Sequence, residues 1–413
     1  MEWKKRLNAN SFYASLYILI MGNGGAQGLN LIFSFLFARI FDLGTFGEFG
    51  IFTAFVFVMG EVLNLKMDQA IILCKNETEV KISIGFANKI GFLLSLLGSV
   101  LFFLFQLFNN GVLIHAIFCF FSLWIYGQQQ MALTYHLWLK NFKIISASRL
   151  VQVLGGSLFT LMSYQFFHSF NSLIIGFLLG NLCSFLFLRY KLIPNKTISD
   201  NEFSYDFNPK EAFENFITYG TFSSLLNTLG RNLPFFLFKN FYGLNILGGF
   251  SFSNRIIQAP IGIVTQALGK VFFQKAAENE IIEKSLNRKL IKETVIFSFF
   301  SGIIPTLILS FFGTLIFVYF FGEKWHEAGK MSMIMAPLFF ISYITQPISM
   351  YLDVKKELKW EFFFNLSFLL VRFVFLYYVC LGYSFEISLY VYTFIGIFFY
   401  LILLFKIWSI SKS

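Results

Sequence analysis

Twelve apolar runs, each long enough to cross a bilayer, constrain this chain more than any other feature. A helix spanning the hydrocarbon core needs about 20 apolar residues. Runs of that length recur at 12–37, 46–66, 83–107, 112–135, 146–167, 171–189, 214–239, 245–268, 293–320, 331–352, 361–381 and 387–407. Lipid offers no partner to backbone N–H and C=O groups, so such runs must satisfy themselves as helices. Composition agrees. Of the 413 residues, 57% are hydrophobic and 13% charged, where a soluble domain carries about 25% charged residues. Too little polar surface remains to coat a globule in water. The prediction is an all-α membrane protein with twelve transmembrane helices.

The net charge of +10 is not a nucleic-acid signal, because the basic residues sit in short loops between apolar runs. With the N-terminus inside, 24 of the 32 Lys and Arg residues fall on the cytoplasmic side. Only Arg39, Lys239, Lys324 and Lys330 fall opposite, and Lys89, Arg231, Arg255 and Arg372 lie more than one turn inside spans, with span-end residues such as Arg149 counted on the side they adjoin. That bias places both termini in the cytoplasm. The basic start Met1–Arg6 leads into an apolar run with no small-residue cleavage site, so it reads as a retained first helix.

The longest polar break, 190–213, divides the spans six and six: an N-lobe over 1–190, a cytoplasmic linker over 191–213 and a C-lobe over 214–413. The halves echo each other. Ala38-Arg39-Ile40-Phe41, Gly44 and Gly47-Glu48-Phe49 reappear as Phe238-Lys239-Asn240-Phe241, Gly243 and Gly248-Gly249-Phe250. An even number of spans per half makes the repeats parallel, related by an axis along the membrane normal. Residues 270–292 read as a cytoplasmic amphipathic helix and 322–330 as a small outer loop. Pro234, Pro260, Pro305, Pro337 and Pro347 lie in later spans and are hinge or packing-kink candidates.

The intramembrane cations are the sharpest functional signal. An arginine at mid-bilayer costs about 2.5–3.5 kcal/mol on insertion scales, so it faces a protein interior or a wet cavity. Arg231, Arg255 and Arg372 sit near mid-span, and Lys89 lies nearer the cytoplasmic end, where its stem can snorkel. Asn227 shares a helix face with Arg231, and Ser251, Arg255, Gln258 and Gly262 share another. Glu61 is the one acid well inside a span. It cannot neutralise three arginines, and the surplus implies a positive cavity for an anionic ligand. Arginine suits phosphate because its planar fork binds two oxygens at once. Span one carries a polar stripe, Asn23, Gln27, Asn30 and Ser34, and span five a second, Arg149, Gln152, Gly156, Thr160 and Ser163. Interhelical hydrogen bonding accounts equally well for any single residue, but a four-residue stripe points to a wet cavity. Asp68, closing span two, reads as a loop-shaping residue.

Enzymatic chemistry is hard to find. His115, His136, His168 and His326 are scattered, and no Ser-His-Asp order, metal-ligand cluster or phosphate-cradling Gly-rich loop occurs. Cys74, Cys119, Cys183 and Cys380 have no metal or redox spacing.

Three segments carry a family resemblance: Ala38–Gly50, Leu65–Leu73, and Gly248–Pro260 with Gly269-Lys270-Val271-Phe272-Phe273. With the topology, the chain resembles the polysaccharide transporters of the multidrug/oligosaccharidyl-lipid/polysaccharide (MOP) exporter superfamily, especially O-antigen flippases of the Wzx type. The resemblance implies a MATE-like fold of two six-helix lobes in a V-shaped bundle working by alternating access. It implies a bacterial inner-membrane protein that is not an enzyme and needs no cofactor. Its substrate would be a polyprenyl-pyrophosphate-linked oligosaccharide, an O-antigen or capsule-type repeat unit, flipped to the periplasmic leaflet. Partners would be membrane lipids, a glycan polymerase and a chain-length regulator. On that reading Arg231, Arg255, Arg372 and Lys89 attract the pyrophosphate or acidic sugars. Asn23, Gln27, Asn30, Asn227 and Gln258 line the polar cavity, and Glu61 is the candidate for coupling to a proton or sodium ion. Lipid II flippases have two more helices than this chain. Two rivals stand: a MATE-like drug or cation exporter, which needs an acid-lined cavity, and a membrane glycan polymerase or ligase, which needs a large outer loop.

Overall fold

The computed structural model of the chain describes residues 9–74, 76–107, 113–191, 207–214, 216–283, 285–355 and 357–411. Among the described residues there are twelve helices of 21 residues or more and no strand. In chain order they are α1 (Ala9–Ile40), α2 (Leu43–Leu63), α3 (Glu77–Leu107), α4 (Leu113–Trp138), α5 (Phe142–Phe167), α6 (Phe170–Tyr190), α7 (Thr221–Tyr242), α8 (Leu244–Ile282), α9 (Ser285–Phe321), α10 (His326–Ser349), α11 (Leu358–Gly382) and α12 (Phe385–Ile410). Nine of them are long and apolar enough to cross a membrane. The other three are α1, α4 and α7, and polar residues set them apart: the stripe from Asn23 to Asn30, the run Gln128–Gln130, and Asn227, Arg231 and Asn232.

Three sequence expectations need correction. Span two ends at Leu63 rather than 66, because Leu65 and Lys66 both adopt left-handed backbone conformations, φ 47° and 56°, which stop a helix. Glu61 therefore lies in the last turn of α2 and not well inside a span. Residues 270–292 form no separate helix; they are the continuing ends of α8 and α9, 39 and 37 residues long. At about 1.5 Å per residue these exceed the ~30 Å hydrocarbon core by nearly a factor of two. Packing keeps the polar ends helical: Phe272 and Ala276 share a buried cluster with Ile291, Ile348, Tyr351 and Leu352. Asn287 donates to Ala276 O at 3.2 Å, and Lys355 pairs with Glu280 at 2.8 Å. Nor is 322–330 a loop. Gly322, at φ 100°, turns the chain, and after one turn over Glu323–Trp325 α10 begins at His326.

The chain forms two compact units. The first comprises residues 1–30 and 52–228, the second residues 31–51 and 229–413. This division differs from the lobes expected at 190 and 214. Of the expected linker, 192–206 lie outside the described residues, and Asn208 caps the short turn Pro209–Ala212 by accepting from Lys210 N at 3.1 Å.

In the first unit α5 and α6 touch along a seam of small residues. A methyl on Gly180 would lie 2.8 Å from Gly156 Cα, so only glycine allows the backbones to approach this closely. Gln129 donates to Ser184 Oγ at 2.9 Å, which joins α4 to α6.

The second unit explains why residues 31–51 belong to it. Gly47 opens against Leu244 O and Gly248 N, while Gly248 opens against Leu43 O and Gly47 N. The contact is reciprocal, so the two echoing glycine motifs pack on each other. Trp325 donates to Ala38 O at 2.9 Å and Lys324 to Phe41 O at 2.8 Å. Those bonds satisfy carbonyls that the end of α1 leaves free. The Trp325 ring lies 4.0 Å from Phe252 and 5.2 Å from Phe46.

Candidate functional site

The second unit gathers two of the intramembrane arginines around one face of α12. Tyr392, Gly396 and Tyr400 recur there every four residues, so they line one stripe. Arg231, exposed on α7, donates from Nη2 to the Tyr400 hydroxyl at 3.2 Å. Gln346 on α10 also hydrogen-bonds that hydroxyl. Arg372 on α11 is enclosed: the residue is 2% exposed. Its guanidinium lies between the rings of Phe368 at 4.2 Å and Tyr392 at 4.4 Å, within cation–π range. Its Nη1 donates to Gly230 O at 3.0 Å. The Arg372 cavity role expected from the sequence meets a side chain with no open face.

Arg255 is half-buried on α8. Its neighbour Gln258 is exposed and donates to Asn254 Oδ1 at 2.8 Å. Asn254, Gln258, Gly262 and Gln266 follow at four-residue steps, and Gly262 has only Gln266 near it, at 3.8 Å. This ridge of amides was half legible: the sequence pointed to Gln258 but not to Asn254 or Gln266. An exposed guanidinium beside a tyrosine hydroxyl, with a ridge of amides on the same unit, offers donors suited to oxyanions and sugar hydroxyls.

These helices match known proteins. A family model described as "Polysaccharide biosynthesis protein" matches residues 36–330, well over half of the chain. The chain belongs to this polysaccharide biosynthesis protein family. Among solved structures, a Vibrio cholerae MATE transporter superposes with TM-score 0.67 at 12% identity, covering 98% of this chain and 96% of that one. A MOP superfamily transporter from Pyrococcus furiosus gives TM-score 0.66 at 12% identity, covering 97% and 96%. An outward-facing MATE transporter of the MOP superfamily gives 0.65 at 14%, covering 97% and 94%. At these identities the likeness establishes the fold, which is that of MATE-like MOP transporters. Among curated proteins no significant sequence relative was found. With nine such apolar helices among the described residues, this polysaccharide biosynthesis family member is a multi-pass membrane protein.

The remaining candidates of this family member lie in the first unit. Asn23, Gln27 and Asn30 are half-buried on α1, and the Oε1 of Gln27 is buried without a hydrogen-bond partner. Asn227 is half-buried on α7, one turn before Arg231. Lys89 is exposed on α3. Glu61 is engaged by Lys66 at 2.9 Å. Around that pair the structure assembles a polar cluster that the sequence showed only in pieces. Glu61, Arg149 and Asp68 all act electrostatically on Tyr126, whose ring lies against Gly60. Arg149 donates to Gln152 at 3.2 Å and Gln152 to Asn181 at 2.9 Å. Asp68, in the short turn Met67–Ala70 outside the spans, has its carboxyl pushed above the usual range by burial, against the pull of Lys66 and with the push of Glu61. The second stripe read from span five, Arg149 to Ser163, meets α6 through Gln152 on Asn181 and through Gly156 against Gly176 and Gly180, while Thr160 and Ser163 bond carbonyls of their own helix, Gly156 O and Phe159 O. Among the described residues no group of three or more His, Cys, Asp or Glu is placed to hold a metal.

Proposed function

We propose that this protein is a flippase. It translocates a polyprenyl-pyrophosphate-linked oligosaccharide, an O-antigen or capsule-type repeat unit, from the cytoplasmic to the periplasmic leaflet of a bacterial inner membrane by alternating access. The observation that carries the reading is the exposed Arg231 guanidinium on Tyr400 in a chain of the polysaccharide biosynthesis family. Arg231 and Arg255 draw the pyrophosphate or acidic sugars, and Lys89 adds to the attraction. The amides of Asn23, Gln27, Asn30, Asn227 and Gln258 meet sugar hydroxyls, while the polyprenyl tail stays in lipid. The Pyrococcus furiosus relative is reported to have a binding pocket of reversed polarity and, from that, a different function. The protein carries no catalytic step of its own, and both termini are cytoplasmic. It passes its substrate to a glycan polymerase and chain-length regulator.

Each lost charge-assisted hydrogen bond removes about 1.5–3 kcal/mol, roughly a ten- to hundredfold loss of affinity. Arg231→Ala with Arg255→Ala abolishes glycan export while membrane protein level stays at wild type, read by surface glycan staining and immunoblot. Wild-type export by the double variant sinks the proposal. The MATE fold favours one rival, a drug or cation exporter coupled to protons or sodium through Glu61. Ethidium efflux that disappears in Glu61→Gln decides for that rival.

A further inference from the structure

Pro234 sits inside α7 and has no backbone N–H. In a regular helix that N–H would bond the carbonyl four residues back, at Gly230. Arg372 Nη1 donates to that same carbonyl, at 3.0 Å. We propose that Arg372 is a positioning residue: it replaces the hydrogen bond that Pro234 removes and so fixes the turn of α7 that presents Arg231 to Tyr400.

The surroundings are fitted around the guanidinium, whose Nε is buried without a hydrogen-bond partner. Gly230 lets α11 approach, since a methyl there would lie 3.0 Å from the Phe368 ring. Gly396 makes room for the guanidinium, since a methyl there would lie 2.9 Å from Arg372 Nη2. Phe368 and Tyr392 cover the two faces of the group. A ligand would have to displace a ring to reach it, so direct substrate binding does not fit. Simple space-filling does not fit either, because a leucine or methionine fills volume without bringing a donor to a buried carbonyl. Arg231 is the residue next to Gly230, so the backbone unit that Arg372 holds is the one from which Arg231 projects. The same α12 stripe serves both arginines, through Tyr392 for one and Tyr400 for the other.

The inference deepens the flippase reading and shares its export assay, but Pro234→Ala separates the two. That substitution returns an N–H to the Gly230 carbonyl and makes the Arg372 donor redundant. Arg372→Leu is expected to lower glycan export at least tenfold and to lower the melting temperature of the purified protein. In a Pro234→Ala background the same Arg372→Leu change is expected to cost less than threefold in export and to shift melting far less. A packing or ligand-binding role would not be moved by Pro234→Ala. Equal losses from Arg372→Leu in both backgrounds, in export and in melting, overturn the proposal. If Pro234→Ala itself stops export, the melting shifts alone decide it. Normal export by Arg231→Ala would refute the cationic binding site and leave the melting comparison standing.

Discussion

Arg231 and Arg372 are read alike in the sequence and end in opposite environments. One is exposed on Tyr400; the other is walled in by two rings and spent on a carbonyl. What separates them is the glycine and proline beside them, whose effect depends on which helix comes near. Asp68 shows the same dependence. Asp68 is half-buried in its turn, where desolvation outweighs Lys66, so its carboxyl ionises above its ordinary value of 3.8. A carboxyl whose folded pKa is raised subtracts stability once pH climbs past the unfolded value, and the loss is complete above the folded pKa. Asp68→Asn removes that penalty. Its melting temperature is therefore expected above wild type at pH 7, with the difference vanishing near pH 4. Equal melting curves at pH 7 would contradict the burial argument.

At the scale of elements, glycine decides which helices touch. The seam of α2 on α8 depends on Gly47 and Gly248, each of which opens onto backbone of the other helix. Backbone cannot swing aside as a side chain can, so an added methyl must push the helices apart. Overpacking of this kind costs about 1–3 kcal/mol. Gly248→Ala and Gly47→Ala are each expected to lower thermal stability by that order. Gly262→Ala, on the same helix with only Gln266 near at 3.8 Å, is expected to leave it unchanged or raise it. A Gly248→Ala protein as stable as wild type would show that the seam is not close-packed. The reciprocity also gives physical content to the sequence echo: two similar helix starts recur because each supplies the flat surface that the other needs.

At the scale of the whole molecule, alternation of the twelve spans expected from the sequence assigns a side to every connection. With the termini inside, Gly243 and Glu323 face the exterior, and Lys140, Lys191 and Glu283 face the cytoplasm. Single cysteines at the first two, in a background lacking the four native ones, are expected to react with a membrane-impermeant maleimide in intact cells. Cysteines at the last three are expected to react only after permeabilisation. The reverse pattern would overturn the orientation drawn from the Lys and Arg bias. The compact units also cut across the helix order: α1, α2 and α7 each contribute to both. A substitution at either end of these helices therefore acts on a different body.

The all-helical class follows from the sequence alone, because lipid leaves a long apolar run no other way to satisfy its backbone. The kinship of the helix starts at Gly47 and Gly248 was also legible, as a repeated pattern. So was the presence of arginines needing partners, since their desolvation cost is a property of the residue. The partners were not legible. Whether a guanidinium faces an open surface or a carbonyl depends on what arrives from helices more than a hundred residues away, as Arg372 does at Gly230. Helix ends were fixed the same way. The left-handed pair Leu65 and Lys66 ended α2 early and drew Glu61 onto Lys66. Packing on Ile348 and Tyr351 carried α8 far past its apolar run. Hydrophobicity is additive along the chain and can be counted there, whereas hydrogen-bond partners exist only once the chain is folded.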